Sequence, residues 1–323
     1  MNPFITEGPV SGPQAIVLYG VAGVGKSTLA AKVPEPLFWD TERGSRHLTV
    51  RRIPIDTLDA LERISSIAPT QFAKEGVRTL VVDTIDGIEK LLRQKITQKF
   101  RVDSLGRIKY GHGFVYLREE FDRFVTDVLD AYLAAGIHVL VVGHSKVKRV
   151  QPPGLKEAFD RFELKLDETD SHRIKEWSDA TLFFTWDLRI SELGDGRPIG
   201  VSSKERQIWT AYSPAQDAKN RVNLPEKIEA TWEAIRPVFC DWQLRSPQEQ
   251  LVETFNCLEL AQATDFLVAR KWLREGQGIG NLSDYHARGI LAQLIEFKAA
   301  LVKHFEQPPA QNETKEGSTD GQT

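Results

Sequence analysis

Gly20, Gly25, Lys26 and Ser27 stand at the spacing GxxxxGKS, where the apolar run Ile16 to Tyr19 gives way to glycines and then to a helix-forming stretch. Residues of these types at this spacing hold phosphate. Gly20, Gly23 and Gly25 let the backbone turn, so that N–H groups along Gly20, Val21, Ala22, Gly23, Val24, Gly25, Lys26, Ser27 and Thr28 face phosphate oxygens at a helix N-terminus. Lys26 reaches the terminal phosphates, and the Ser27 hydroxyl is a ligand for magnesium. The expected ligand is a nucleoside triphosphate with Mg2+.

Two acids and a histidine extend this chemistry. Asp83 closes the apolar run Leu80-Val81-Val82, the place of a carboxylate that holds magnesium through its water shell. Glu42 follows Asp40-Thr41 at the end of another apolar run and reads either as a base aligning water or as a solvated acid. His144, in Gly143-His144-Ser145, is equally open between a functional and an ordinary hydrogen-bonded histidine. Cys240 and Cys257, the only cysteines, have neither CxxC spacing nor paired histidines nearby and read as core thiols.

The elements that must position these groups alternate strand and helix, which predicts a parallel sheet with crossover helices. Strands are expected at 15–20, 36–40, 51–55, 78–83, 137–142, 180–190 and 206–213. Helices are expected at 26–32, ending before Pro34, at 57–68, and at 114–135. In such a sheet ligands sit at the carboxyl ends of the strands, and four ends converge there: the phosphate loop, Asp40-Thr41-Glu42, Asp83-Thr84 and Gly143-His144-Ser145.

With 323 residues, 41% hydrophobic, the chain suffices for one large α/β core and a smaller appendage. No 18-residue apolar stretch and no secretory signal is seen, so a soluble, cytoplasmic protein without membrane contact is expected. The net charge of −3 leaves nucleic-acid contact to local patches. Lys90 to Arg118 holds eight basic residues against Asp103, and Lys146 to Lys156 holds four against none. Both contain glycine or proline turn signals and read as loops, while 157–172 reads as a mobile loop. Beyond Trp242, Gln248–Leu273 and Asp284–Phe305 read as two helical segments with Phe255, Phe266, Trp272 and Phe297 as core, and 307–323 as a disordered tail.

Taken together these motifs resemble the RecA-type ATPase core, and within it the phage-encoded Sak group of single-strand-annealing recombinases, a resemblance covering about residues 1–235. It implies a RecA-like P-loop core at 1–240, a helical module at 241–306, and ATP as the nucleotide. It implies that Glu42, in Leu-Phe-Trp-Asp-Thr-Glu, activates water. His144, in Leu-Val-Val-Gly-His-Ser, becomes the γ-phosphate sensor in place of the usual glutamine. In Ala218–Pro225, Lys219 and Arg221 would reach the γ-phosphate of a neighbouring subunit. It also puts the two basic segments where DNA-binding loops lie, so that Arg107, Lys109, His112, Lys146, Lys148 and Arg149 would contact single-stranded DNA. The expectation is an ATP-dependent annealing or recombination ATPase, a ring or filament with ATP between subunits, cooperating with a single-strand-binding protein. The alternative is an AAA+ loader or remodeller acting on protein or helicase partners, although that class carries Asp-Glu where this chain has Asp83-Thr84.

Overall fold

The computed structural model describes residues 12–151, 157–192, 198–222, 224–239, 247–255 and 257–306. The 152–154 turn, Lys156, Cys240 and the 307–323 tail lie outside them. In chain order the strands are β1 (Ala15–Gly20), β2 (Pro36–Asp40), β3 (Arg51–Pro54), β4 (Thr79–Asp83), β5 (His138–Val150), β6 (Phe159–Leu164), β7 (Ala180–Glu192), β8 (Pro198–Trp209), β9 (Lys219–Asn220) and β10 (Lys227–Glu229). Across the sheet the order is β10-β8-β7-β1-β5-β4-β2-β3. The six strands from β7 to β3 are parallel, while β8 and β10 are antiparallel additions at the β7 edge.

The helices are α1 (Lys26–Ala30), α2 (Leu58–Ser65), α3 (Pro69–Lys74), α4 (Ile85–Phe100), α5 (His112–Arg123), α6 (Asp130–Ala134), α7 (Glu168–Trp177), α8 (Trp232–Ile235), α9 (Pro247–Thr254), α10 (Cys257–Ala269), α11 (Asp284–Ala292) and α12 (Leu294–Glu306). A π-helical segment, Phe124–Leu129, joins α5 to α6, so the stretch expected as one helix is continuous. Helices cover both faces of the sheet, and the alternation of β1 shows how. Val17 and Tyr19 enter the core shared with α4, α5 and α7, whereas Ile16 and Leu18 enter the core shared with α1 and α8. A strand buried at every position must be apolar throughout, as β1 is apart from its closing Gly20.

Two expectations about connections are corrected. β5 does not end at Val142 but runs to Val150, because Ser145–Val150 pairs antiparallel with β6. The stretch 157–172, read as a mobile loop, instead holds β6 and the first half of α7. Alternating charge hid the hairpin: across it Lys146 faces Glu163, and Lys148 Nζ lies 2.8 Å from Glu168 on α7. Toward the C-terminal end the described residues form four helices rather than two, around their own core of Leu251, Phe255, Phe266 and Leu267, with α11 against α3. Trp272 is not core. It is 38% exposed and stacks face to face on His286, ring centroids 4.4 Å apart. Among the described residues no helix is long and apolar enough to cross a membrane.

Candidate active site

The phosphate loop leaves β1 at Gly20 and enters α1 at Lys26. Gly23 (φ 73°) and Gly25 (φ 102°) adopt left-handed backbone, which an L side chain would strain. Lys26 is buried and curls over the loop, its ammonium donating to the carbonyls of Gly20 (3.1 Å) and Val21 (2.9 Å). Burial lowers its pKa, opposed by the charges of Asp83, Asp86 and Glu42. The Ser27 hydroxyl lies beside Asp83 and lowers its pKa.

Asp83 ends β4 directly beside Asp40, which ends β2. Burial raises the Asp83 pKa and the charges of Asp40 and Glu42 add to it, with Ser27 and Lys26 pulling the other way. Acids crowded at a buried strand end, one of them beside the loop serine, have the donor chemistry a divalent cation needs, so the residues present fit Mg2+. Asp40 itself builds the neighbouring loop by accepting from the backbone N–H groups of Gly44 (3.0 Å) and Ser45 (3.1 Å) and the Ser45 hydroxyl (2.5 Å).

Glu42 is anchored from beneath. The Thr41 hydroxyl accepts the Thr84 N–H at 2.8 Å and donates to the Thr84 carbonyl at 3.2 Å. The Thr84 hydroxyl then donates to Glu42 at 3.3 Å. Gly87 leaves room for this bridge, since a Cβ there would stand 2.1 Å from the Thr41 oxygen. His144 lies where β5 leaves the parallel sheet, bonded to Asp86 at the start of α4. Burial would raise the Asp86 pKa, but the His144 bonds and charge together outweigh it and hold it below the usual carboxylate value. One pocket of about 320 Å³ is lined by Gly23, Gly25, Lys26, Ser27, Thr28, Asp40, Glu42, Asp83, Thr84 and His144, together with His47. The expected loop, acids and histidine therefore share one cleft.

Other expected residues lie elsewhere. Lys219 pairs with Thr181 near the start of β7, opposite the end at which Phe184 adjoins Gly20, so neither it nor Arg221 reaches its own chain's phosphate loop. The Lys219 ammonium is occupied by the carbonyls of Lys175 (3.0 Å), Glu176 (2.9 Å) and Ser178 (2.5 Å) at the end of α7, where a cation favours the helix dipole. Arg221, its side chain 60% exposed and 3.6 Å from Asp179, is the outward cation of the two. Lys146, Lys148 and Arg149 lie on β5 rather than in a loop. Lys146 donates to the Leu166 carbonyl at 2.5 Å and Lys148 is paired with acids, while Arg149 is exposed. Arg107, Lys109 and His112 do lie in and just after an exposed connection, between α4 and α5.

Sequence reasoning missed Thr41, Asp86, His47 and Arg206. Arg206, on β8, donates to the Val24 carbonyl in the phosphate loop at 3.3 Å. Nothing in the sequence announces a contact across 182 residues.

A family model described as an AAA domain matches residues 12–222, from β1 to just past β9. The chain belongs to the AAA domain family. This AAA-domain protein is thus a P-loop ATPase, and its family implies nucleotide binding. A search of curated proteins finds no match. A solved structure, a prototypical ATPase from the type III secretion system of pathogenic bacteria, is similar over 88% of this chain and 81% of that one, at 14% identity and a TM-score of 0.37. At that score the likeness carries no argument about function. The family match stops short of the helices α9 to α12.

Proposed function

We propose that this AAA ATPase hydrolyses ATP with Mg2+ to control a grip on single-stranded DNA, as a recombination or annealing ATPase of the Sak-like phage kind, cytoplasmic in the host. The observation that carries the DNA reading is the tip between α4 and α5. Tyr110 there is 92% exposed and held at φ 58° between Lys109 and Gly111, with Arg107 and His112 beside it. Leu105 and Ile108, both buried, pin the tip to the core, so the exposed ring is presented rather than loosely hung. An exposed aromatic among cations suits single strands, because bases stack on it without regard to sequence while cations take the phosphates.

In this reading Lys26 holds the terminal phosphates, Glu42 aligns the attacking water and His144 meets the γ-phosphate. Ser27 and Asp83 would hold Mg2+, which when bound neutralises phosphate charge. Arg221 acts on the site of the next subunit in a homo-oligomer. The 16-residue helix α4 joins the two functions: about 24 Å of helix separates its Asp86 end at the cleft from the tip.

Replacing Arg107, Lys109 and Tyr110 together by alanine should weaken single-strand binding for all sequences alike and lower the log–log salt slope by about two, one per lost phosphate contact. Unchanged affinity and slope would remove the DNA reading. The pairing of Lys148 with Glu163 and Glu168 favours a second reading, a loader or remodeller acting on protein or helicase partners, because it neutralises one of the two basic segments. ATPase stimulation by a partner protein, without response to DNA, would select it.

A further inference from the structure

Asp86 has no part in the roles given above, yet it grips His144 twice. Its Oδ1 accepts the His144 backbone N–H at 3.2 Å, and its Oδ2 lies 2.8 Å from the ring nitrogen Nδ1. One carboxylate therefore fixes both where this residue sits on β5 and how its ring is turned. With Nδ1 taken, only Nε2 remains to serve the cleft that His144 lines. The donor atoms of Glu42, Asp86 and His144 lie within 4.8 Å of one another. Two of the three are spent on each other, which leaves Glu42 and Nε2 facing the same space.

We propose that Asp86 is a positioning residue of the ATPase, clamping Nδ1 so that His144 presents Nε2–H as a hydrogen-bond donor to the terminal phosphate. This rests on the reading of His144 as the group that meets that phosphate. The chemistry requires the clamp for a specific reason. A ring that gives its single proton to Asp86 offers a bare Nε2 lone pair, which an anionic phosphoryl group repels. A ring protonated on both nitrogens offers a donor and a positive charge where negative charge gathers during phosphoryl transfer. Asp86 favours the second form. Its hydrogen bond raises the His144 pKa, against the burial that lowers it, and its charge adds to the effect. The other charged groups acting on the ring are Lys26 from the phosphate loop, which lowers the value, and Glu42 from beyond β2, which raises it. A carboxylate behind a histidine fixes its orientation and basicity in the same way when the histidine holds a metal.

The test is steady-state ATP hydrolysis from about pH 5.5 to 9 by the full chain and by Asp86→Asn, His144→Ala and the double variant. Asp86→Asn keeps the shape and an acceptor for the His144 backbone N–H but turns an amide N–H toward Nδ1, so that the ring offers Nε2–H as a neutral donor, without the positive charge. It should lower kcat about tenfold with little change in KM. It should also move the alkaline fall of kcat to lower pH, since the protonated ring is lost sooner once its pKa drops. In the His144→Ala background the same substitution should cost nothing further, because a residue acting through His144 has nothing left to act through.

Asp86→Asn with wild-type kcat and pH profile, or with an undiminished cost in the His144→Ala background, would overturn the proposal while leaving the phosphate-sensing role of His144 standing. Normal turnover by His144→Ala would overturn that role and the proposal together. Imidazole 15N shifts of the wild-type protein bound to a non-hydrolysable ATP analogue give a readout that needs no Asp86 variant to fold. Both His144 nitrogens should be protonated near neutral pH, and an unprotonated nitrogen on either side of the ring would contradict the proposal.

Discussion

At the level of single residues the proposed roles divide binding from chemistry. Lys26 is poised on two backbone carbonyls, an arrangement that phosphate oxygens can replace without reorganising the loop. Lys26→Ala should therefore lower ATP turnover at least a hundredfold, about 3 kcal/mol of transition-state stabilisation, while the circular-dichroism spectrum stays that of the parent. Glu42 touches only the Thr84 hydroxyl among protein groups whose bonds are described, so its carboxylate is available to a water. Glu42→Gln should still bind ATP in a filter or fluorescence assay but lose turnover by about 100-fold or more, and normal hydrolysis would move the base elsewhere. The loop, Asp83, Glu42 and His144 were legible in the sequence because each closes or follows an apolar run, and strand ends are where such folds place ligands. Thr41 and Asp86 were not. Their value comes from what they hold, Thr84 and His144, and such pairs 43 and 58 residues apart have no local signature.

At the scale of elements, α7 is anchored to α4 through charges that the sequence presents as a featureless alternation. Glu89 on α4 accepts the N–H of Asp167, the N-cap of α7, at 2.6 Å, and Arg93 sits 3.1 Å from Glu89. Asp170, 1% exposed, is drawn into this cluster. Burial first, then the charges of Glu89 and Asp167, push its pKa up to about 7. For a carboxyl group raised in this way, the stability contribution is full below the unfolded value of about 3.9 and is lost as pH rises through about 7. Asp170→Asn should accordingly melt close to the parent in acid and above it at alkaline pH, the gap opening between about pH 4 and 7. A difference in Tm that does not change with pH would mean that Asp170 is buried at no electrostatic cost. The parallel core was legible for the converse reason: β1, β2, β4 and the first half of β5 are buried almost throughout, and uninterrupted apolar runs mark them. The outer half of β5 was hidden, since exposed strands paired through charges look like loops.

At the scale of the whole molecule, the position of Arg221 sets a geometric condition. It belongs to the far end of the sheet from its own phosphate loop, so any action on a γ-phosphate must be on another subunit's. Lys26→Ala protein mixed with Arg221→Ala protein should regain part of the lost turnover, because a mixed interface can join an intact loop to an intact arginine. No recovery at any ratio, with mixed assembly confirmed by cross-linking, would exclude trans action. Arg221 is the sharper choice here, as Lys219 also caps α7 and its removal would disturb the fold.

Whether nucleotide turnover at this cleft serves single-stranded DNA, as proposed, is decided by the rate of Mg2+-dependent ATP hydrolysis with and without single-stranded DNA, beside duplex DNA and RNA of equal length and the Lys26→Ala protein. Single strands should raise the wild-type rate several-fold and duplexes less, while the variant stays inactive throughout. A wild-type rate indifferent to every nucleic acid would contradict the proposal.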